Sequence, residues 1–144
     1  MNRLFKPQLL RVINNISKNA RNFHNTTKNL TVTYTKNEEW INYGETDEIY
    51  NIKIGLTKNA VEQLGEIVYI EFPLDVDDIF EKDDDIVHIE SVKATDSIKA
   101  PFDGIVKVVN KNLEDELDTL NQTPEEYNDS WLIEPYYDVE GNYV

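Results

Sequence analysis

The stretch Ile86–Val109, IVHIESVKATDSIKAPFDGIVKVV, decides how this chain folds. Ile86–Glu90 and Ser97–Ala100 are two short arms rich in β-branched residues, set about a compact centre, Ser91–Asp96. Pro101 and the pair Asp103-Gly104 mark a turn, and Ile105–Val109 is a further strand. Apolar Ile86, Ile89 and Val92 approach the centre on one side, and Ile98 and Ala100 leave it on the other. The pattern therefore predicts a β-hairpin with Lys93 at the apex of an exposed turn. A lysine so placed is solvated and open to a modifying enzyme. By spacing alone its default reading is an ordinary solvated surface charge.

Strand signals continue on both sides of the hairpin. Leu30–Tyr34 alternates as a short strand, and residues 36–48 read as a polar connection with a turn at Gly44. Ile49–Gly55 alternates again, with Ile52 and Ile54 on one face. Thr57 can cap a short helix that runs to Leu64 and stops at Gly65. Glu66–Phe72 is a strand closed by Pro73, and Asp75–Asp85 is an acidic connection. Beyond Val109, Leu113–Leu120 is an acidic helical stretch and a last strand lies around Trp131–Ile133. Short strands at close spacing with little helix predict a small antiparallel β-sandwich or flattened barrel. The strand–turn–strand units invite a search for quasi-symmetry.

Composition narrows the chemistry. The 144 residues suffice for one domain, and they include no cysteine and two histidines, His24 and His88. Disulfides, thiolate catalysis and Cys-ligated zinc are excluded, and a His-based triad or metal site is poorly supplied. Any redox or acyl chemistry needs a group from outside the sequence. Residues 1–30 carry six basic residues and no acid; the other eight basic residues share 31–144 with all 28 acidic ones, a net of −20. A domain of that charge repels nucleic acid and anionic membranes, so neither is an expected partner, and proteins with basic faces are.

The basic leader intersperses Leu4, Phe5, Leu9, Leu10, Val12, Ile13 and Ile16 with Arg and Lys, the composition of an organelle transit peptide. A basic tail without structure is the alternative. The expected division is a leader at 1–30 and a folded domain at 31–144. The apolar runs are too short and too charged for a membrane span.

Glu90-Ser91-Val92-Lys93-Ala94 resembles the lipoylation motif of the glycine cleavage H proteins. Pro101 and Gly104 fall where that family places its post-turn proline and glycine. Biotin carriers instead have Met on both sides of the lysine, and the lipoyl domains of dehydrogenase complexes usually have Asp where this chain has Val92. Tyr34–Trp40 (YTKNEEW) is similar to the family's opening segment, which ends in His-Glu-Trp. Ile54–Thr57, Ala60 and Leu64–Pro73 are similar to its helix and following strand. Asn121–Trp131, with Pro124 and Tyr127, is similar to its Asn…Pro-Tyr…Gly-Trp segment. The resemblance covers about residues 31–134.

The resemblance implies a mainly β, barrel-sandwich hybrid fold of the lipoyl/biotinyl-carrier type, with a few short helices and a lipoyl-binding domain at 31–144. It implies lipoate linked through an amide to Lys93 (N6-lipoyllysine), with Glu90, Ser91, Val92, Ala94 and Asp96 forming the attachment site. Glu39 would lie by the cleft that shelters the loaded arm; as a bare residue it is also one more acid among many. The implied role is a non-catalytic carrier in glycine catabolism within the mitochondrial matrix. Its lipoyl arm takes an aminomethyl group from the pyridoxal-phosphate glycine decarboxylase (P protein). It presents the group to the tetrahydrofolate-dependent aminomethyltransferase (T protein) and is reoxidised by dihydrolipoyl dehydrogenase (L protein). Lipoate-attaching enzymes are further partners. Cofactors carry such chemistry and the protein positions them.

Several positions leave the family pattern. Glu38 replaces its His, Asp96-Ser97 reverses its usual Ser-Asp, and Leu74–Asp85 lacks its glycines. The chain runs 13 residues past Trp131, where the family adds a C-terminal helix; that bears on sheltering of the arm and on docking to the decarboxylase. Trp40 and Trp131 read as core residues. A relay that donates lipoate to other acceptors and a non-lipoylated structural module are the alternatives. An independent enzyme has no catalytic set to support it.

Overall fold

A computed structural model describes residues 30–45 and 50–136; the leader, Ile49 and the end of the chain lie outside these. β1 (Leu30–Tyr34), β2 (Glu39–Glu45), β3 (Tyr50–Leu56), β9 (Ile133–Pro135), β8 (Gly104–Val109) and β5 (Ile79–Phe80) form one sheet in that spatial order. β4 (Ile67–Glu71), β6 (Asp85–Ser91) and β7 (Thr95–Lys99) form the second. All pairings within these sheets are antiparallel. Ile54, Leu56, Phe80, Ile86, Ile89, Leu132 and Ile133, all essentially inaccessible, fill the core. The arrangement is the expected barrel-sandwich.

The segment read as a polar connection is instead β2, a strand paired on both sides. Gly44 sits in the ladder opposite Leu30 and Asn51 rather than in a turn. Burial of Trp40 and Ile41 overrides the polar composition around them. The Trp40 indole donates to the Pro124 carbonyl (2.9 Å) and packs edge-on against Tyr127. It also lies over Gly55, where an added Cβ would come within 2.2 Å of the ring, so only glycine allows this approach.

Helix α1 (Lys58–Leu64) forms as its sequence predicts. Thr57 accepts the Ala60 amide (3.1 Å), and Gly65 ends the helix at φ 83°. The acidic stretch after Val109 breaks into α2 (Asn112–Asp115) and α3 (Leu117–Gln122), with Glu116 non-helical between them. The break lets both Leu113 and Leu120 be buried and lets α3 pack on β4. β9 starts two residues later than the sequence suggests, because the Asn110 amide takes the Trp131 carbonyl (2.8 Å). Trp131 is only half-buried, with its ring under the Lys53 ammonium (5.4 Å), so it is not a core residue as expected.

The acidic connection 75–85 holds β5 and two equivalent turns. In one, the Asp75 amide donates to Asp78 Oδ2 and Asp77 has φ 71°; in the other, the Glu81 amide donates to Asp84 Oδ2 and Asp83 has φ 71°. The next bonds match too. Asp77 N donates to the Val106 carbonyl and Val106 N to that of Asp78, as Asp83 N does to Ala100 and Ala100 N to Asp84. This is the quasi-symmetry the short units suggested. Asp tolerates the left-handed conformation better than most residues, which explains how the loop dispenses with glycine.

Candidate functional site

The register Glu90↔Thr95 closes the β6–β7 hairpin on a turn smaller than the sequence suggests, with Thr95 and Asp96 already in β7. Ser91 N donates to the Ala94 carbonyl (2.8 Å), leaving Val92 and Lys93 at the tip. Ser91 Oγ accepts the Lys93 and Ala94 amides, each at 3.2 Å, and donates to the Ala94 carbonyl. One hydroxyl thus satisfies the Lys93 and Ala94 amides, and neither tip residue needs a positive φ. The Val92 amide reaches across to the Glu66 carbonyl (2.9 Å), tying the tip to the segment between α1 and β4.

This fixes the backbone of Lys93 while its side chain stays exposed. Its stem runs over Gly65, where a Cβ would stand 3.2 Å from both Cδ and Cε. No ion pair to Nζ is found among the described residues, whereas Lys99 is held in close contact by Asp85. That contact raises the Lys99 ammonium and lowers the Asp85 carboxyl.

Beside the tip lies an open cleft of about 510 Å³ between the 36–39 loop, α1 and β7. Its lining combines apolar Leu56, Leu64 and Ile98 with Glu38, Glu39 and Asp96, and includes Lys93 and Ala94 together with Lys36 and Lys99. Glu39 is 2% exposed, so it is not simply another surface acid. Thr35 Oγ1 donates to its carboxylate. Burial pushes the Glu39 carboxyl up, its own backbone amide pulls it down, and the charges of Asp83 and Glu38 add to the rise. Glu38, in the position of the family's histidine, has φ 65°. It accepts Thr57 Oγ1 on its carboxylate (2.9 Å) and Thr57 N on its carbonyl (3.0 Å), which locks the loop onto the cap of α1.

Of the expected site residues, Lys93, Ala94, Asp96 and Glu39 therefore meet at one cleft. Ser91 shapes the turn. Glu90 and Val92 are exposed and do not line the cleft. Thr35, Leu56, Leu64 and the stem contact of Gly65 were not legible, because each joins through the fold from a distant segment. Among the described residues, no cluster of His, Cys, Asp and Glu could hold a metal ion, and no helix is long and apolar enough to cross a membrane.

The family model described as "Glycine cleavage H-protein" matches residues 32–138. A "Glycine cleavage system H protein" of Listeria monocytogenes serotype 4b is 40% identical over 100 residues, covering 69% of this chain and 74% of that protein. One from a Psychrobacter species is 36% identical over 99 residues, with the same coverage. The crystal structure of a glycine cleavage system H protein from Mycobacterium marinum superposes with a TM-score of 0.63 at 26% identity, covering 78% of this chain and 85% of that one.

Proposed function

The chain belongs to the glycine cleavage H-protein family, and from that premise we propose that it works as the lipoyl carrier through Lys93, which holds lipoate as an amide on Nζ. The observation that carries this reading is the rigid two-residue tip with an exposed lysine beside a cleft of mixed lining. Lipoate, when bound, would supply a dithiolane whose S–S bond opens as one sulfur takes the aminomethyl group, and it would be left as the dithiol once that group is surrendered. The chain's own part is to hold and shelter. Ser91 and the Val92–Glu66 bond fix the direction in which the arm leaves. The apolar wall of Leu56, Leu64 and Ile98 suits a hydrocarbon arm. Glu39 and Asp96 suit a cationic amine at its end.

In this reading the protein is a non-catalytic component. It docks in turn with glycine decarboxylase, aminomethyltransferase and dihydrolipoyl dehydrogenase, and tethering raises the arm's local concentration at each. Glu90 serves recognition by the lipoate-attaching enzyme. Residues 1–30 serve as a mitochondrial transit peptide and the matrix is the site of action; the acid-free basic composition of that segment supports this.

Intact mass of the mature protein from lipoate-replete cells should exceed the sequence mass by one lipoyl group, located on Lys93 by peptide mapping. The loaded protein should then support glycine–bicarbonate exchange by the decarboxylase. An unmodified Lys93 would sink the reading; modification without exchange would leave a relay. Fusing residues 1–30 to a reporter tests targeting, and failure of isolated mitochondria to import it would refute the leader's role.

A further inference from the structure

Next to Lys93 the second sheet departs from regular alternation. Ile67 pairs with Ser91, but the next partner of Glu90 is Tyr69, so Val68 is the extra residue of a β-bulge. A regular strand would send Val68 and Tyr69 to opposite faces. Here both are exposed, by 49% and 48%, while Ile67 and Ile70 on either side are buried. Bulges re-aim side chains in this way. Val92, 62% exposed at the tip, is tied by its amide to the carbonyl of Glu66, two residues before Val68 in the chain. The bulge is held from behind, because the Asn121 amide accepts Ile67 N (2.8 Å) and donates to Ile67 O (2.9 Å). The exposed apolar patch of Val68 and Tyr69, with Val92 on the tip bonded to the same segment, thus borders the hairpin of the lysine, whose stem crosses Gly65. Exposed Glu66, Glu71 and Glu90 flank it.

We infer that this patch is the docking platform for the enzyme that acylates Lys93; the inference rests on the carrier reading above. Once the arm is attached, a partner can be visited across the length of lysine plus acyl chain. Before attachment there is no arm, so the attaching enzyme must bring its activated carboxyl carbon to bonding distance of Nζ. There the lysine gives up its proton, the amide C–N bond forms, and the bond from the acyl carbon to the departing AMP breaks. At that separation its surface covers what is exposed beside the lysine, the mouth of the cleft and this apolar patch alike. The occupant is therefore a protein surface with an apolar, aromatic-accepting centre and a basic rim facing Glu66, Glu71 and Glu90.

The full chain is loaded in vitro by an ATP-dependent lipoate ligase with free lipoate, and initial rates are read by intact mass. Val68→Ser combined with Tyr69→Ser should lower kcat/KM for the apo protein about tenfold or more, chiefly through KM, with the melting temperature little changed. Tyr69→Phe should keep most of the rate. Val76→Ser with Ile79→Ser removes equally exposed apolar side chains from β5 of the other sheet and the turn before it and should have no effect. Equal kcat/KM for the bulge variant and wild type would overturn the platform while leaving the carrier reading intact, as would an equal loss in the Val76/Ile79 variant. Failure of wild type to be lipoylated would overturn the carrier reading and the platform with it.

Discussion

At the residue scale, Lys93 and Glu39 face the same cleft with opposite demands on the fold. Lys93 is exposed and unpaired among the described residues, so Lys93→Ala should abolish lipoylation and carrier activity while changing stability by only about 0.5 kcal/mol or less; a large fall in melting temperature would make Lys93 structural. Glu39 is buried, and burial raises its carboxyl above the ordinary 4.5. A raised folded value means that the fold favours the protonated acid. That stabilisation is complete below 4.5 and is lost as pH rises through the folded value. Glu39→Gln, which keeps the neutral shape, should therefore melt above wild type at neutral pH, the gap closing as pH falls through the raised folded value to 4.5. Thermal melts across pH check this, and a gap that widens on acidification would refute the burial account. Lys93 could be picked out in the sequence because its neighbours bear the motif. The burial of Glu39 could not, since the cleft walls reach it only through folding.

At the element scale, the hairpin and α1 were legible because their signals are local: alternation about a turn, a threonine cap, a terminal glycine. β2, β5 and the break at Glu116 were not, because pairing partners and buried leucines distant in sequence decide them. Two close approaches should dominate element stability. Gly55→Ala drives a methyl group into the Trp40 indole and should cost about 3 kcal/mol or more in chemical denaturation. Asn121→Ala strips Ile67 of partners for both its amide and its carbonyl and should cost about 1–3 kcal/mol. Hydrogen exchange at the Ile67 amide should accelerate in that variant; unchanged protection would show that α3 does not hold β4.

At the scale of the whole molecule, residues 31–144 carry a net charge of −20, and a carrier that must visit partners in turn gains from fast, screened encounters. Raising ionic strength from about 0.01 M to about 0.1 M shortens the Debye length from about 30 Å to about 10 Å. Association of the domain with the decarboxylase should slow about tenfold or more over that range in stopped-flow measurements. A salt-independent rate would remove electrostatic steering. The charge, the absence of cysteine and the lysine turn are properties of composition and nearest neighbours, so the sequence by itself pointed to the family and singled out Lys93 as the proposed attachment point. Which side chains surround Lys93 was decided only in three dimensions. The cleft is assembled from the 36–39 loop, α1 and β7, and the apolar patch depends on a one-residue bulge that Asn121 holds from another part of the chain. Long-range backbone pairing selects such contacts, and no local run of residues encodes them.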